Sequence, residues 1–328
     1  MPEGLRLVLA PGCAFLLTLL LVPLMRRLAI RWGCVALPTE ERWHKRSTPS
    51  FGGVAFFVGF LLPALWLAPG SPAALPLFLV AAQMFALGVY DDLRRINPAT
   101  KLMGQIIAAT TAIFFGYSLR FFSWPPLDAL LTGIWIVGLT NAINLLDNMD
   151  GLAGGVALIA ALFLTFLGDL QHTSLVLAFA GAIAGFLVYN FHPASIFMGD
   201  SGSLFLGSTL SLLTLQAQGQ ASNILSLVAV PTLILLVPIF DISLVTFTRI
   251  LRGQSISQGG KDHASHRLVI LGLPEPKPVL LLYLMAAISG GTALLIESLS
   301  YALSLTLVPL VVLSFALFTA YLAQIEIV

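Results

Sequence analysis

Apolar stretches long enough to cross a lipid bilayer follow one another along this chain, from "FLLTLLLVPLM" near its start to "LTLVPLVVLSFALFTAYLA" near its end. About 20 such residues make a helix that spans roughly 30 Å of hydrocarbon, and inside lipid only helices and closed barrels satisfy their own backbone groups. With 58% hydrophobic and 9% charged residues over 328 positions, no segment has the composition of an ordinary water-soluble domain. The expected fold class is all-α, a polytopic integral membrane protein with a single transmembrane domain over residues 1–328.

Hydropathy predicts about eleven spans, at roughly 5–25, 51–68, 76–90, 102–119, 127–147, 154–169, 174–191, 203–217, 223–242, 278–296 and 301–323. The first run has neither a basic leader nor an A-x-A cleavage site, so it is expected to stay as a span. Threading the chain through these spans puts Arg26, Arg27, Arg31, Arg42, Lys45, Arg46, Arg94, Arg95, Lys101, Arg249, Arg252, Lys261, Arg267 and Lys277 on one side of the membrane. Arg6 and Arg120 alone fall on the other. By the positive-inside rule the rich side is cytoplasmic, which places the N-terminus outside and the C-terminus in the cytoplasm. The net charge of +1 carries no basic domain, so nucleic acid is not an expected partner. Two cysteines, Cys13 and Cys34, make no disulfide framework.

The same threading, drawn without regard to acids, brings Asp91, Asp92, Asp147, Asp150, Asp200, Asp241, Asp262, His263 and His266 out on the basic side. Solubilising acids would not segregate in this way. One polar site at the inner surface, assembled from several loops, is the simplest source of the pattern.

The local sequences suggest its chemistry. In "YDDLRR", adjacent carboxylates repel unless a cation or proton lies between them, and a divalent metal would serve. In "FMGDSGS", Asp200 stands at a helix start whose free N–H groups suit an anion, so carboxylate and helix end together suggest a metal–phosphate site. Helical spacing in "NAINLLDNMDG" stacks Asn141, Asn144 and either Asp147 or Asn148 on one stripe, with Asp150 opening the turn. "GGKDHASHR" adds Lys261, His263, His266 and Arg267, which suit phosphate oxygens. Oxygen donors with no cysteine cluster point to magnesium, or manganese, over zinc. Each motif also has an ordinary structural reading: a solvated helix end, an N-cap, interhelical glue between amides. Their conjunction on one face is what those readings do not predict.

Taken in order, "HKRSTPSFGG", "GVYDDLRRINPATKLMGQ", "NAINLLDNMDGLAGG", "FMGDSGSLFLG", "PIFDISLVTFTRILRG" and "KDHASHRL" resemble the polyprenyl-phosphate N-acetylhexosamine-1-phosphate transferases. That family includes WecA- and TagO-type enzymes and, more distantly, the MraY translocase. The resemblance covers about residues 40 to 275. It implies transfer of a sugar 1-phosphate from a UDP-N-acetylhexosamine to a polyprenyl phosphate, with magnesium required and UMP released, at the cytoplasmic face of the inner membrane. Position by position, it implies catalytic roles for Asp91, Asp92, Asp147, His263 and His266, and metal binding by Asp200 with Asp92. Substrate contacts fall to Lys45, Lys101, Asn144, Asp150, Phe197 and Arg267. Two positions depart from the family pattern: Ser265 replaces a middle histidine, and Ser50 stands before "FGG" where many relatives have arginine. The missing histidine run favours an N-acetylglucosamine donor over the muramyl-pentapeptide donor of the MraY branch. Asp241 is carried over as a motif position without a derived role, and a homodimer is a candidate assembly.

Two other classes fit these residues less well. A CDP-alcohol phosphotransferase would follow "DNMDG" with Ala-Arg and further spaced aspartates, which "DGLAGGVALIAALFL" lacks. A secondary transporter would place charges near mid-bilayer, often within an inverted repeat, and neither feature is present.

Overall fold

The computed structural model describes residues 3–36, 47–67, 74–122, 124–217, 224–255 and 260–325. Among them the chain is all-α apart from one small hairpin. Thirteen helices run in the order α1 (Glu3–Arg31), α2 (Gly52–Leu67), α3 (Ala74–Arg94), α4 (Pro98–Phe114), α5 (Pro125–Leu146), α6 (Leu152–Leu164), α7 (Leu170–Asn190), α8 (Gly199–Ala217), α9 (Ile224–Ile234), α10 (Leu236–Leu251), α11 (Ala264–Ile270), α12 (Pro276–Ser298) and α13 (Tyr301–Ala323). Strands β1 (Val35–Ala36) and β2 (Thr48–Pro49) pair antiparallel between α1 and α2.

Local chemistry sets several of the boundaries. Asn97 caps α4 by accepting the Thr100 N–H at 2.8 Å, and Pro98 fills the first turn, where no backbone donor is needed. Asp169 caps α7 through the His172 N–H at 2.8 Å. Gly151, with φ of +75°, makes the left-handed step between α5 and α6.

Helix α8 lies at the centre of the bundle and is buried along almost its whole length. Around it, Phe205 packs with ring centroids 5.1–5.7 Å from Phe56, Phe57, Phe60 and Phe179, a cluster that joins α2, α7 and α8. Where α3 meets α8 the backbones touch at Gly88, and a β-carbon there would overlap the Asp200 carbonyl. That close approach brings the end of α3 against the start of α8. The outer surfaces carry exposed leucines, such as Leu310, Leu313 and Leu317 on α13, as expected of a lipid-facing helix.

The expected eleven spans are met in part. Helices occupy all eleven apolar segments, but among the described residues six are long and apolar enough to cross a membrane, or seven if the bent pair α9 and α10 counts as one. That pair breaks by 76° near Leu235, between Pro231 and Pro238, within the expected ninth span. Helices α2 and α6 are apolar but short, and α8, at 19 residues, is rich in Ser, Thr and Gly. A helix enclosed by others has no need of a lipid-compatible surface, which is why hydropathy and burial diverge here.

Candidate functional site

The polar residues expected at one surface do gather at one end of the bundle. Lys101, in the first turns of α4, reaches inward, and its ammonium lies 3.0 Å from Asp91 Oδ2, 3.1 Å from Asp200 Oδ1 and 3.2 Å from Asn144 Oδ1. Asn144, on the last turn of α5, donates to Asp200 Oδ1 at 2.6 Å and to Ser203 Oγ at 2.7 Å. Four helices (α3, α4, α5 and α8) thus each supply a side chain to one knot of charge. One turn deeper, Gln105 and Asn141 exchange amide hydrogen bonds of 3.1 and 2.7 Å, tying α4 to α5 beneath the lysine.

The adjacent aspartates meet different partners. Asp91 faces Lys101, and its Oδ1 accepts the Ile96 N–H at 3.0 Å. Asp92 turns to the start of α8, where Oδ1 accepts the Asp200 N–H at 2.7 Å and Oδ2 accepts the Ser201 N–H at 3.0 Å. Its carboxylate is therefore the anion at that helix N-terminus, a stabilising arrangement for both charge and orphan donors. Asp92, expected as a metal ligand, caps α8 with one backbone bond to each oxygen. Gly199 is required beside it: φ is +71°, and a β-carbon would stand 2.7 Å from Asp92 Oδ2.

The turn after α5 carries two more expected residues. Asp147 caps the helix, its own N–H bonded to Ile143 O at 3.2 Å. Asp150 Oδ2 accepts from the Ala194 N–H at 2.9 Å and lies 3.2 Å from His192 Nδ1, so this carboxylate holds the loop that leads to α8. In that loop Phe197 bridges to Ser50: its N–H bonds Pro49 O at 2.8 Å, and its carbonyl accepts from Gly52 at 2.9 Å. Ser50, the position that departs from the family arginine, thereby sits beside Gly199. The expected anion contact Lys45 lies outside the described residues.

The histidine segment forms the short helix α11, docked by buried contacts. Asp241 on α10 places Oδ2 2.7 Å from His263 Nδ1 and accepts the Ala264 N–H on Oδ1 at 2.8 Å. Ser265 donates to Asn148 Oδ1 at 2.7 Å, binding α11 to the turn after α5. Asp262 takes a bidentate contact from Arg249, 2.6 Å from Nε and 2.7 Å from Nη2. Burial opposes ionisation of Asp262, yet the Arg249 guanidinium holds its carboxyl below the ordinary 3.8. His266 packs edge-on to His263 with centroids 5.6 Å apart, and burial together with that neighbour pushes its imidazole down to about 4.

Arg267 does not fit the phosphate role expected of it. The side chain is fully buried and donates to the backbone oxygens of Asp262, Leu322 and Ile325 at 2.8, 2.9 and 3.1 Å and to Thr248 Oγ1 at 3.2 Å. A guanidinium so engaged joins α11 to the end of α13.

Asp241, Ser203 and Gln105 carry contacts here that sequence reading left without a role. Ser203 had a signal, since it lies three residues after Asp200 in "GDSGS" and so on the same face of a helix.

As to a metal, no three His, Cys, Asp or Glu side chains form a cage among the described residues. Magnesium needs no such cage, because it keeps several waters and takes one or two carboxylates with substrate phosphates. The hard oxygens of Asp200, Asp91 and Asn144, gathered within reach of a single ammonium, fit that donor chemistry.

Comparison with known proteins bears on the same residues. The Glycosyl transferase family 4 model matches residues 74–218, from the start of α3 just past the end of α8. A probable undecaprenyl-phosphate N-acetylglucosaminyl 1-phosphate transferase of Bacillus subtilis is 36% identical over 318 residues, covering 93% of this chain and 88% of its own. A decaprenyl-phosphate N-acetylglucosaminephosphotransferase of Mycobacterium tuberculosis is 34% identical, covering 80% and 76%. A phospho-N-acetylmuramoyl-pentapeptide-transferase of Moorella thermoacetica is 31% identical, covering 88% and 96%.

Proposed function

Because the chain belongs to the polyprenyl-phosphate N-acetylhexosamine-1-phosphate transferases of glycosyl transferase family 4, we propose that it moves N-acetylglucosamine 1-phosphate from UDP-N-acetylglucosamine to a polyprenyl phosphate and releases UMP. The observation that carries this reading is the knot of Lys101, Asp91, Asp200 and Asn144 at one end of a bundle with lipid-facing flanks. Phosphoryl transfer asks a protein mainly for positioning and charge stabilisation, and this cluster is built for both.

A phosphate oxygen of the lipid attacks the β-phosphorus of the nucleotide sugar in line with the departing UMP. A phosphate monoester has its second pKa near 6, so the attacking oxygen is mostly ionised at neutral pH and needs no strong base. Asp91, already bonded to Lys101 and to the Ile96 N–H, is better suited to fixing the lysine than to abstracting a proton. Lys101 brings the positive charge to the phosphates. Asp200 and Asn144, with Asp91 beside them, are the residues that would hold magnesium. When bound, that ion neutralises charge gathering on the pyrophosphate oxygens. Asp92 keeps Asp200 in register by capping α8. The helix order and the cationic loops support a cytoplasmic site in the inner membrane, where an isoprenoid tail stays in lipid while its phosphate meets an aqueous donor.

Two of the relatives carry an N-acetylglucosamine name at 36% and 34% identity, against 31% for the muramoyl-pentapeptide enzyme. The test is product analysis with purified protein, undecaprenyl phosphate and each UDP-sugar in turn. Undecaprenyl-pyrophosphoryl-N-acetylglucosamine with one UMP per lipid supports the proposal. Product only from the muramyl-pentapeptide donor moves the chain to the other branch, and no product from any donor removes the activity.

A further inference from the structure

Resting on that reaction, we propose that Asp241 is a positioning residue that holds His263 in its Nδ1–H tautomer and so presents Nε2 to the site as a hydrogen-bond and proton acceptor. Asp241 lies on α10 just after the break from α9, and it is 1% exposed. A carboxylate there accepts but cannot donate. Its two oxygens divide their work: Oδ1 takes the Ala264 N–H at 2.8 Å and Oδ2 stands 2.7 Å from His263 Nδ1. An ionised carboxylate facing Nδ1 requires a proton on that nitrogen, which leaves the neutral ring's lone pair on Nε2. The same bond that fixes the tautomer also fixes the ring's orientation, because the Ala264 contact locks the backbone immediately after His263 to the same carboxylate.

The docking of α11 brings His263 near the polar knot. Ser265, two residues on, bonds Asn148 at 2.7 Å, so the start of α11 is docked on the turn following α5. That turn begins at Asp147 and lies one helical turn beyond Asn144, which contacts both Lys101 and Asp200. Serine in place of the family's middle histidine therefore serves as the anchor of the segment. The ligand chemistry that a neutral Nε2 meets is a hydrogen-bond donor of the substrates: a sugar hydroxyl, the acetamido N–H, or the proton of a monoprotonated lipid phosphate.

The experiment is nitrogen NMR of histidine-labelled protein in detergent, combined with steady-state transfer rates. In the parent protein the His263 spectrum should show protonated Nδ1 and unprotonated Nε2 wherever the ring is neutral. The opposite tautomer there would overturn the proposal before any variant is made. In Asp241→Asn the amide oxygen still caps Ala264 while the amide N–H donates to Nδ1, so the proton should move to Nε2. With it kcat should fall by about 100-fold or more, since a wrong tautomer leaves geometry intact but removes the acceptor. KM for the nucleotide sugar should stay within about threefold, as expected when an interaction of the transition state is lost. A switched tautomer with unchanged kcat would overturn the acceptor role, and an unswitched one would overturn the positioning role. If the parent protein transferred nothing to lipid, the reaction itself would fail, while the tautomer measurement would still judge Asp241 on its own.

Discussion

Replacing Asp92 separates a helix cap from a metal ligand, and the structure sets the sizes. Two charge-assisted bonds, 2.7 Å to the Asp200 N–H and 3.0 Å to the Ser201 N–H, hold the first turn of α8. Each such bond contributes about 1.5–3 kcal/mol, and a buried donor left unmatched adds a desolvation cost. Asp92→Ala loses both and strands two N–H groups, for a cost of about 4 kcal/mol. Asp92→Asn keeps one neutral acceptor, as asparagine does at helix N-caps generally, and loses about 2 kcal/mol. If that cost falls on the placement of Asp200 in the transition state, transfer slows by about 30-fold for Asn and about 1000-fold for Ala. The magnesium concentration for half-maximal rate should move by less than about threefold in both, because the ion's own donors are untouched. The assay is initial-rate label transfer against magnesium, with a melting curve of each variant. Equal losses for Asn and Ala, with the magnesium requirement raised more than about tenfold, would refute the cap and restore Asp92 as a ligand.

Arg267→Met should lower stability by about 2–4 kcal/mol by leaving the carbonyls of Leu322 and Ile325 without their donor, while KM for the nucleotide sugar holds within about twofold. A raised KM at unchanged melting temperature would return this arginine to the phosphates. His266 gives a pH dependence whose sign is fixed: its folded pKa, about 4, lies below the ordinary 6.5, so the unfolded chain binds the extra proton between those values. Its contribution is present above pH 6.5 and is lost as pH falls toward about 4, on the order of 3 kcal/mol in all. His266→Gln should flatten that slope in denaturant titrations, and an unchanged slope would assign it to other groups. Asp262, held low by Arg249, contributes in the same direction and over a more acidic range, below its ordinary 3.8. Lys101→Met should cut transfer by at least about 100-fold through lost phosphate charge, and a rate within about threefold of the parent would remove the lysine from the site.

Much of the site was legible because charge is scarce in this chain. Asp91, Asp200, Asn144 and Lys101 fall at the ends of separate apolar segments, and one threading rule sends those ends to a common surface. What sequence reading missed turns on direction and distance. Neighbours on a helix point about 100° apart, so Asp91 turns to Lys101 and Asp92 to the start of α8, a divergence that the helical period foreshadows. Arg267 reads as a phosphate ligand from its basic neighbourhood, and its true partners lie 55 and 58 residues downstream. Asp241 and His263 meet across 22 residues and the end of α10, a contact that no local pattern records. The span count was met only in part for a related reason. Hydropathy measures a segment's apolarity, whereas α8 is enclosed by other helices and is free to be rich in serine and glycine.

The most direct test of the central claim is transfer of radiolabel from sugar-labelled UDP-N-acetylglucosamine to a butanol-extractable lipid by purified protein, undecaprenyl phosphate and magnesium. Parent protein, EDTA-treated protein and Asp200→Asn would be run side by side. Label in the organic phase from the parent alone, with Asp200→Asn correctly folded and inactive, is the expected result. Equal transfer by Asp200→Asn, or none by the parent with any UDP-N-acetylhexosamine, would contradict the assignment of this polar knot as a phosphotransfer site.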